Sequence, residues 1–210
     1  MSLRLWLIRH AQSTWNAVGR MQGWADPPLS EWGQQQAAWV AAKLAAEPLQ
    51  ALYASPQVRA LETAQAIGAA VGLAPLLDAR LKEVDMGQAE GCTWDELLAR
   101  WPHLNAVIER GDFFVPHVPE AEALPAFTAR VGAAFAEIEA AHTEGDVAVV
   151  AHGGVFRAYL GQLLQAHEGY CVPLNFSNAS LSRVTIREVG WVDVDFINCV
   201  SHLADLKSDE

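Results

Sequence analysis

Cysteine is scarce in this 210-residue chain: there are three, Cys92, Cys171 and Cys199, with no CxxC pair among them. An odd, widely spaced set excludes a disulfide framework and fits reduced thiols in a cytoplasmic protein. Long apolar runs are missing as well. The opening Met1-Ser-Leu-Arg-Leu-Trp-Leu-Ile-Arg-His10 is broken by charge too early for a signal peptide. No later stretch reaches the ~20 apolar residues of a membrane span. Positive charge is in short supply, with 14 Lys and Arg against 25 Asp and Glu, a formal net charge of −11. Such a surface repels nucleic acid and anionic membrane, so neither is expected as a partner. Charged residues make up only 19% of the chain and hydrophobic ones 51%, which excludes a disordered or fibrous protein and supplies a sizeable core. A small anionic ligand therefore requires a local cluster of Arg and His within an acidic shell.

No composition break marks a linker, so residues 1–210 are expected to form a single domain. Leu3 to Ile8 is a short apolar run ending in Arg9-His10, like a buried strand. A loop from Gly19 to Ser30 follows, and Ser30 N-caps an Ala-rich helix running to about Ala46. Ala51 to Ala54 reads as a strand stopped by Ser55-Pro56. A helix runs from about Gln57 to Val71 and is ended by Gly72. Pro75 to Leu81 is expected to be another strand. Residues 84–125 lose regularity through Gly87, Gly91, Pro102, Gly111, Pro116, Pro119 and Pro125. One short helix, Thr93 to Arg100, is expected inside this segment, which reads as a substrate-covering insertion. Helix Pro125 to His142, strand Asp146 to Ala151 and helix Val155 to Leu164 come next. Leu181 to Ile186 and Trp191 to Ile197 alternate like a hairpin with a turn at Glu188 to Gly190, and the tail after Ser201 is expected to fray. Strands alternating with helices call for an α/β fold, a three-layer α/β/α sandwich with a mainly parallel central sheet. Ligands of such sheets sit beyond the carboxyl ends of the strands.

Polar residues gather at that edge. Arg9 and His10 end the first strand, Ser55 and then Arg59 follow the second, and His152-Gly153-Gly154 follows the strand at 146–151. Each alone is more often structural, and Glu83 in a loop is more often merely exposed. Together two Arg, two His and one carboxylate make a concentrated anion site. Guanidinium groups match phosphate oxygens in bidentate geometry, and the turns after Ser55 and His152 direct helix amides toward the same cleft.

Five blocks then occur in order. They are Leu7-Ile8-Arg9-His10-Ala11-Gln12-Ser13-Thr14-Trp15-Asn16; Gln22-Gly23-Trp24 with Pro28-Leu29-Ser30-Glu31-Trp32-Gly33; Ser55 to Ala64 with Arg59 inside it; Leu81-Lys82-Glu83 with Gly87 and Glu90-Gly91; and Val150-Ala151-His152-Gly153-Gly154. The series resembles the signature of the histidine phosphatase (phosphoglycerate mutase-like) superfamily, and Asn178-Ala-Ser-Leu resembles a late strand of that family. The resemblance implies a phosphohistidine on His10, with Arg9, Arg59 and His152 holding the phosphoryl oxygens and Glu83 as proton donor and later base. It implies phosphate or substrate contacts at Asn16, Gln22, Gly23 and Gly153, no metal and no cofactor. His10 must attack as a neutral imidazole with its other nitrogen held, and His152 is expected to act as a cation. Two positions depart from the pattern. Ala11 stands where the family usually has Gly, and its methyl is expected to narrow the pocket. Pro119-Glu120-Ala121-Glu122-Ala123 stands where many members carry G-E-S.

Four functions compete. Hydrolysis of a small phosphorylated metabolite leads. A 2,3-bisphosphoglycerate-dependent phosphoglycerate mutase comes second, because Asn16, Gln22-Gly23-Trp24 and Asp26 also resemble that branch. Mutases of the family carry a longer, Arg-rich insertion, whereas residues 92–125 hold only Arg100 and Arg110. A non-catalytic phosphate-binding domain would have lost the nucleophile or a phosphate Arg, and both are present. A metallohydrolase using His10 and His152 lacks any HExxH-type spacing. Oligomeric state is left open, a homodimer included.

Overall fold

The first strand, β1 (Ser2–Arg9), sends Leu3, Leu5 and Leu7 into one core and Trp6 and Ile8 into another. That period-2 split places the strand at the centre of a sheet covered on both faces. The computed structural model describes residues 2–110, 113–165, 174–187 and 190–207. After β1 come α1 (Thr14–Ala17), α2 (Glu31–Leu44), β2 (Leu49–Ala54), α3 (Val58–Val71) and the two-residue β3 (Leu76–Leu77). Then follow α4 (Trp94–Arg100), α5 (Leu104–Glu109), α6 (Leu124–Ala141), β4 (Gly145–Ala151), α7 (Gly153–Leu163), β5 (Leu181–Arg187) and β6 (Val192–Cys199).

The strand order is β3-β2-β4-β1-β5-β6. The first four strands run parallel, and β5 and β6 add an antiparallel hairpin at one edge. One core, around Leu5, Phe127, Phe135, Val149 and Phe156, lies on the α6/α7 side. The other, around Ile8, Val40, Leu44, Ile67 and Val150, lies on the α2/α3 side. The three-layer α/β/α sandwich with a mainly parallel sheet is therefore the fold.

Several boundaries follow from identifiable side chains. Ser30 Oγ accepts from Gly33 N at 3.0 Å and starts α2. Gly72, at φ 74, ends α3. The strand expected over Pro75 to Leu81 shrinks to two exposed residues, because Asp78 Oδ1 accepts from Arg80 N at 2.8 Å and draws the chain into a 3-10 turn, Ala79–Leu81. Segment 84–125 is more ordered than expected. It holds α5 besides α4, and Leu97, Leu104, Val107 and Val118 pack with Ala89 into a small core of their own. Ser201–Lys207 forms a 3-10 helix that buries Leu203 where fraying was expected, and residues 208–210 of that tail lie outside the described residues. Cys171 and residues 188–189 of the expected hairpin turn lie outside the described residues. Among the described residues, no helix is long and apolar enough to cross a membrane.

Candidate active site

Parallel pairing of β1 with β2 and β4 brings their carboxyl ends to one edge, and the polar residues after each strand meet there. His10 N donates to Ala151 O at 2.9 Å, which locks the two strand ends together. The backbone carbonyl of His10 accepts from Ala179 N at 3.1 Å and from Asn178 Nδ2 at 3.2 Å. Ala179 adopts φ 58 to reach it, a left-handed conformation that costs roughly 1 kcal/mol for a residue with a side chain. Asn178 thus holds the backbone of His10 in place, a contact that its family-strand likeness alone did not reveal.

The His10 ring is buried, and its Nδ1 lies 2.8 Å from the Ala11 carbonyl. A carbonyl oxygen only accepts, so Nδ1 carries the proton and Nε2 keeps its lone pair. The expectation of a held tautomer is met by a backbone group. Burial first, then the guanidinium groups of Arg59 and Arg9, hold His10 well below the usual imidazole value. The ring is neutral at physiological pH.

His152 sits 5.1 Å away, ring centre to ring centre, with its Nε2 2.9 Å from Ser55 Oγ. Gln57 N donates to the same oxygen at 3.3 Å, leaving the hydroxyl proton free to donate to Nε2. His152 Nδ1 is buried without a partner among the described residues. Burial, followed by Arg59, His10 and Arg9, pushes this imidazole well below its usual value too. The protein's own groups therefore oppose protonation of His152, against the cation that the sequence led us to expect.

Arg59 is among the largest fully buried side chains. Its Nη1 donates to Ala25 O at 2.9 Å and its Nη2 to Gly23 O at 3.0 Å, and Asp26 Oδ1 stands 3.9 Å from Nη1. Burial lowers its pKa to about 10, so it remains charged at neutral pH. Arg9 donates from Nη1 to Phe176 O. Arg9 Nε, Arg59 Nε and His152 Nδ1 are three of the buried polar atoms that lack a partner among the described residues. Three orphan nitrogens on three expected phosphate ligands are what an oxyanion would satisfy.

Glu83 is fixed by its surroundings. Oε2 accepts from Gly154 N at 3.1 Å and Oε1 from Val84 N at 2.9 Å. A Cβ at position 154 would collide with this carboxylate, so the second glycine of His152-Gly153-Gly154 is there for close approach. Gln57, only 2% exposed, donates from Nε2 to Gly23 O at 2.9 Å and accepts from Glu83 N at 2.8 Å. Arg130 donates from Nη2 to Glu83 O at 2.8 Å while pairing bidentately with Glu122 at 2.7 and 2.8 Å. Sequence reasoning missed Gln57 and Arg130, since a helix-start Gln and a helix Arg look like ordinary surface residues. Glu122 belongs to this brace and does not line the cavity.

The remaining expected contacts divide. Gly153 lines a cavity of about 210 Å³ together with Arg9, Glu83 and Gly154. Asn16 closes a capping box on α1 with Ser13 and accepts from Asn178 Nδ2 at 3.1 Å. Gln22 Oε1 accepts from Ser13 Oγ at 2.8 Å. Gly23 serves through its carbonyl and its φ of 52, where a Cβ would meet Glu90 and Met86. Ala11 is fully buried and packs into the core around Leu29 and Ile67. Among the described residues, no group of three or more His, Cys, Asp or Glu is placed to hold a metal ion.

The two buried histidines carry a stability consequence. Their folded pKa values lie below the unfolded value, so the unfolded chain takes up protons first as pH falls. Stability is full above that unfolded value and is lost as pH drops from it toward the folded values, by about 1.4 kcal/mol per pH unit for each histidine. Urea unfolding across this range is expected to show that loss in the parent protein and a shallower pH dependence in His152→Gln. Parallel curves for the two proteins would contradict it.

Fold and site together define an α/β protein with a histidine–arginine anion pocket at the carboxyl edge of its sheet. The chain belongs to the histidine phosphatase superfamily (branch 1), whose family model matches residues 5–198. It is 34% identical over 207 residues to phosphoserine phosphatase 1 of Hydrogenobacter thermophilus, covering 97% of this chain and 95% of that protein. It is 30% identical over 213 residues to a probable phosphoglycerate mutase of Enterobacter sp. (strain 638), covering 99% and 98% respectively. Its structure matches that of a mycobacterial glucosyl-3-phosphoglycerate phosphatase with a TM-score of 0.84 at 28% identity, covering 95% of this chain and all of that one.

Proposed function

We propose that this chain is a phosphomonoester hydrolase that acts on a small phosphorylated metabolite through a phosphohistidine on His10. The observation that carries the reading is the His10 tautomer: Nδ1 is tied to the Ala11 carbonyl and burial keeps the ring neutral, so Nε2 is a free nucleophile. Nε2 attacks phosphorus, the P–O ester bond breaks, and Glu83 gives its proton to the departing alkoxide. Arg9, Arg59 and His152 receive the charge spread over the equatorial oxygens. Water then attacks the phosphohistidine, Glu83 takes the water's proton, the N–P bond breaks, and inorganic phosphate leaves with the electron pair returned to Nε2. These steps match each developing charge with a protein group and call for no metal or organic cofactor.

Residues 1–210 are read as one catalytic domain whose segment 84–125 covers the substrate. The covering segment favours hydrolase over mutase. It contributes Trp94, Phe113 and Phe114 to the cavity lining, while Arg100 is turned to Gln88 and the Trp101 ring. An apolar cover holds a doubly phosphorylated intermediate poorly. A cytoplasmic setting suits the free Cys92 and Cys199.

The role of Glu83 sets the test. Glu83→Gln is expected to slow alkyl phosphates, whose alkoxide needs a proton, at least ~10²-fold while slowing p-nitrophenyl phosphate far less. Equal slowing of both would move the acid elsewhere.

A further inference from the structure

Glu90 takes no part in the steps above, yet it is partly buried at the root of the covering segment, where the 3-10 turn Gly87–Ala89 ends. Both of its carboxylate oxygens are engaged. Oε1 accepts from Trp24 N at 2.5 Å and Oε2 from Ala25 N at 2.9 Å. The far ends of the same backbone groups hold Arg59: Gly23 O accepts from Nη2 at 3.0 Å and Ala25 O from Nη1 at 2.9 Å. Gly23 O and Trp24 N belong to one peptide unit, so that unit meets the carboxylate at one end and the guanidinium at the other. Such a series of hydrogen bonds polarises each member in the same sense. Gly23 makes the approach possible, because a Cβ there would stand 2.3 Å from Glu90 Oε1. Backbone bonds from Met21 N to Cys92 O and from Gly91 N to Met21 O, both 2.9 Å, stitch the start of this loop to the residues after Glu90. Burial lowers the Arg59 pKa, and the charges of Glu83, Asp26 and Glu90 oppose that, so Glu90 also acts on the guanidinium through space.

We propose that Glu90 is a positioning residue: it fixes the Gly23–Ala25 loop so that the two carbonyls of that loop aim the Arg59 guanidinium at the phosphoryl group. Its effect on turnover rests on the hydrolase reading above. With Nη1 and Nη2 each held by a backbone carbonyl, the direction of the buried, unpartnered Nε is set by where those carbonyls stand. A loop carbonyl is only as well placed as its own peptide unit. Glu90 holds two such units from the side away from Arg59, and a small displacement of a group that binds the transition state is costly.

A double-mutant cycle between Glu90 and Arg59 tests this, with p-nitrophenyl phosphate as substrate and inorganic phosphate as binding probe. Glu90→Gln keeps the shape but turns one of the two acceptors into an NH2 that faces an N–H. It is expected to lower kcat/KM by ~10- to 100-fold and to weaken phosphate binding in parallel. Glu90→Asp, which keeps both acceptors on a shorter stem, is expected to lose less. In the Arg59→Ala background the same Glu90→Gln change is expected to cost no more than ~2-fold, because the group through which it acts is gone. A full further loss in that background overturns the proposal, as does native turnover and phosphate affinity in Glu90→Gln alone. Trp24 Nε1 donates to Glu83 O at 2.9 Å, so slowing confined to alkyl phosphates would mean that Glu90 acts through Glu83, and that too overturns it. Loss of folding in both Glu90 variants would make the residue structural and has the same result. Phosphate binding reads the coupling without turnover: a native chain that shows the coupling in binding but hydrolyses no ester would defeat the hydrolase reading and leave the positioning role standing.

Discussion

Replacing His10 by Ala is expected to lower kcat by on the order of 10⁴-fold or more, because in the proposed mechanism it removes the atom that accepts the phosphoryl group. The rest of the pocket remains. Arg59 keeps its anchors at Gly23 and Ala25, and the Asn178 and Ala179 contacts to residue 10 are made to its backbone. The variant is therefore expected to bind inorganic phosphate or vanadate while failing to turn over. Thermal shift against phosphate, alongside steady-state kinetics, separates the two properties. Substantial residual turnover would mean that water attacks the bound ester directly and that His10 only positions it.

Arg59→Ala is the second large effect. In the proposed mechanism it removes a buried cation from the phosphoryl oxygens, and an expected fall of ~10²- to 10³-fold in kcat/KM follows from losing one preorganised donor in a water-poor site. A second consequence has a definite sign. The Arg59 charge is, after burial, the largest influence holding the His10 pKa down. Removing it lets that pKa rise toward the ordinary imidazole value, so the acid limb of the kcat/KM profile shifts to higher pH. Part of the damage is structural, since the Gly23 and Ala25 carbonyls lose their donor. Arg59→Lys addresses this: it keeps the charge and hence the position of the acid limb, although a point charge replaces the fork. An Arg59→Ala profile with an unmoved acid limb would show that the guanidinium does not set the protonation of His10.

What could be read from the chain and what could not divide along physical lines. The central strands were legible because β1 and β4 are apolar on both faces, and only a doubly covered sheet accepts such runs. The hairpin β5–β6 was legible from alternation. The catalytic candidates were legible because strand ends deliver their polar residues to one edge whatever the details between. Short elements left no period to detect: α1 has four residues, α5 has six, and the Ser201–Lys207 turn buries one leucine. The strand expected after Pro75 was overridden by a single Asp78 side chain competing for backbone donors. Residues that act through others escaped for a different reason. Gln57, Arg130 and Asn178 hold carbonyls and amides of the site rather than a ligand, and such pairings depend on tertiary approach. The charge state of His152 could not be read from the chain, since a cation suits phosphate while burial beside Arg59 and Arg9 opposes protonation.

The most direct test traps the intermediate. Native enzyme is mixed with a ³²P-labelled phosphomonoester, quenched within milliseconds in alkali, where phosphohistidine survives, and digested for peptide mapping. The account predicts an acid-labile label on the peptide carrying His10 and on no other, decaying at the rate at which inorganic phosphate appears. A label on another residue would contradict it, as would turnover with no labelled enzyme, or a label returned to the organic product as an isomerised ester in place of released phosphate.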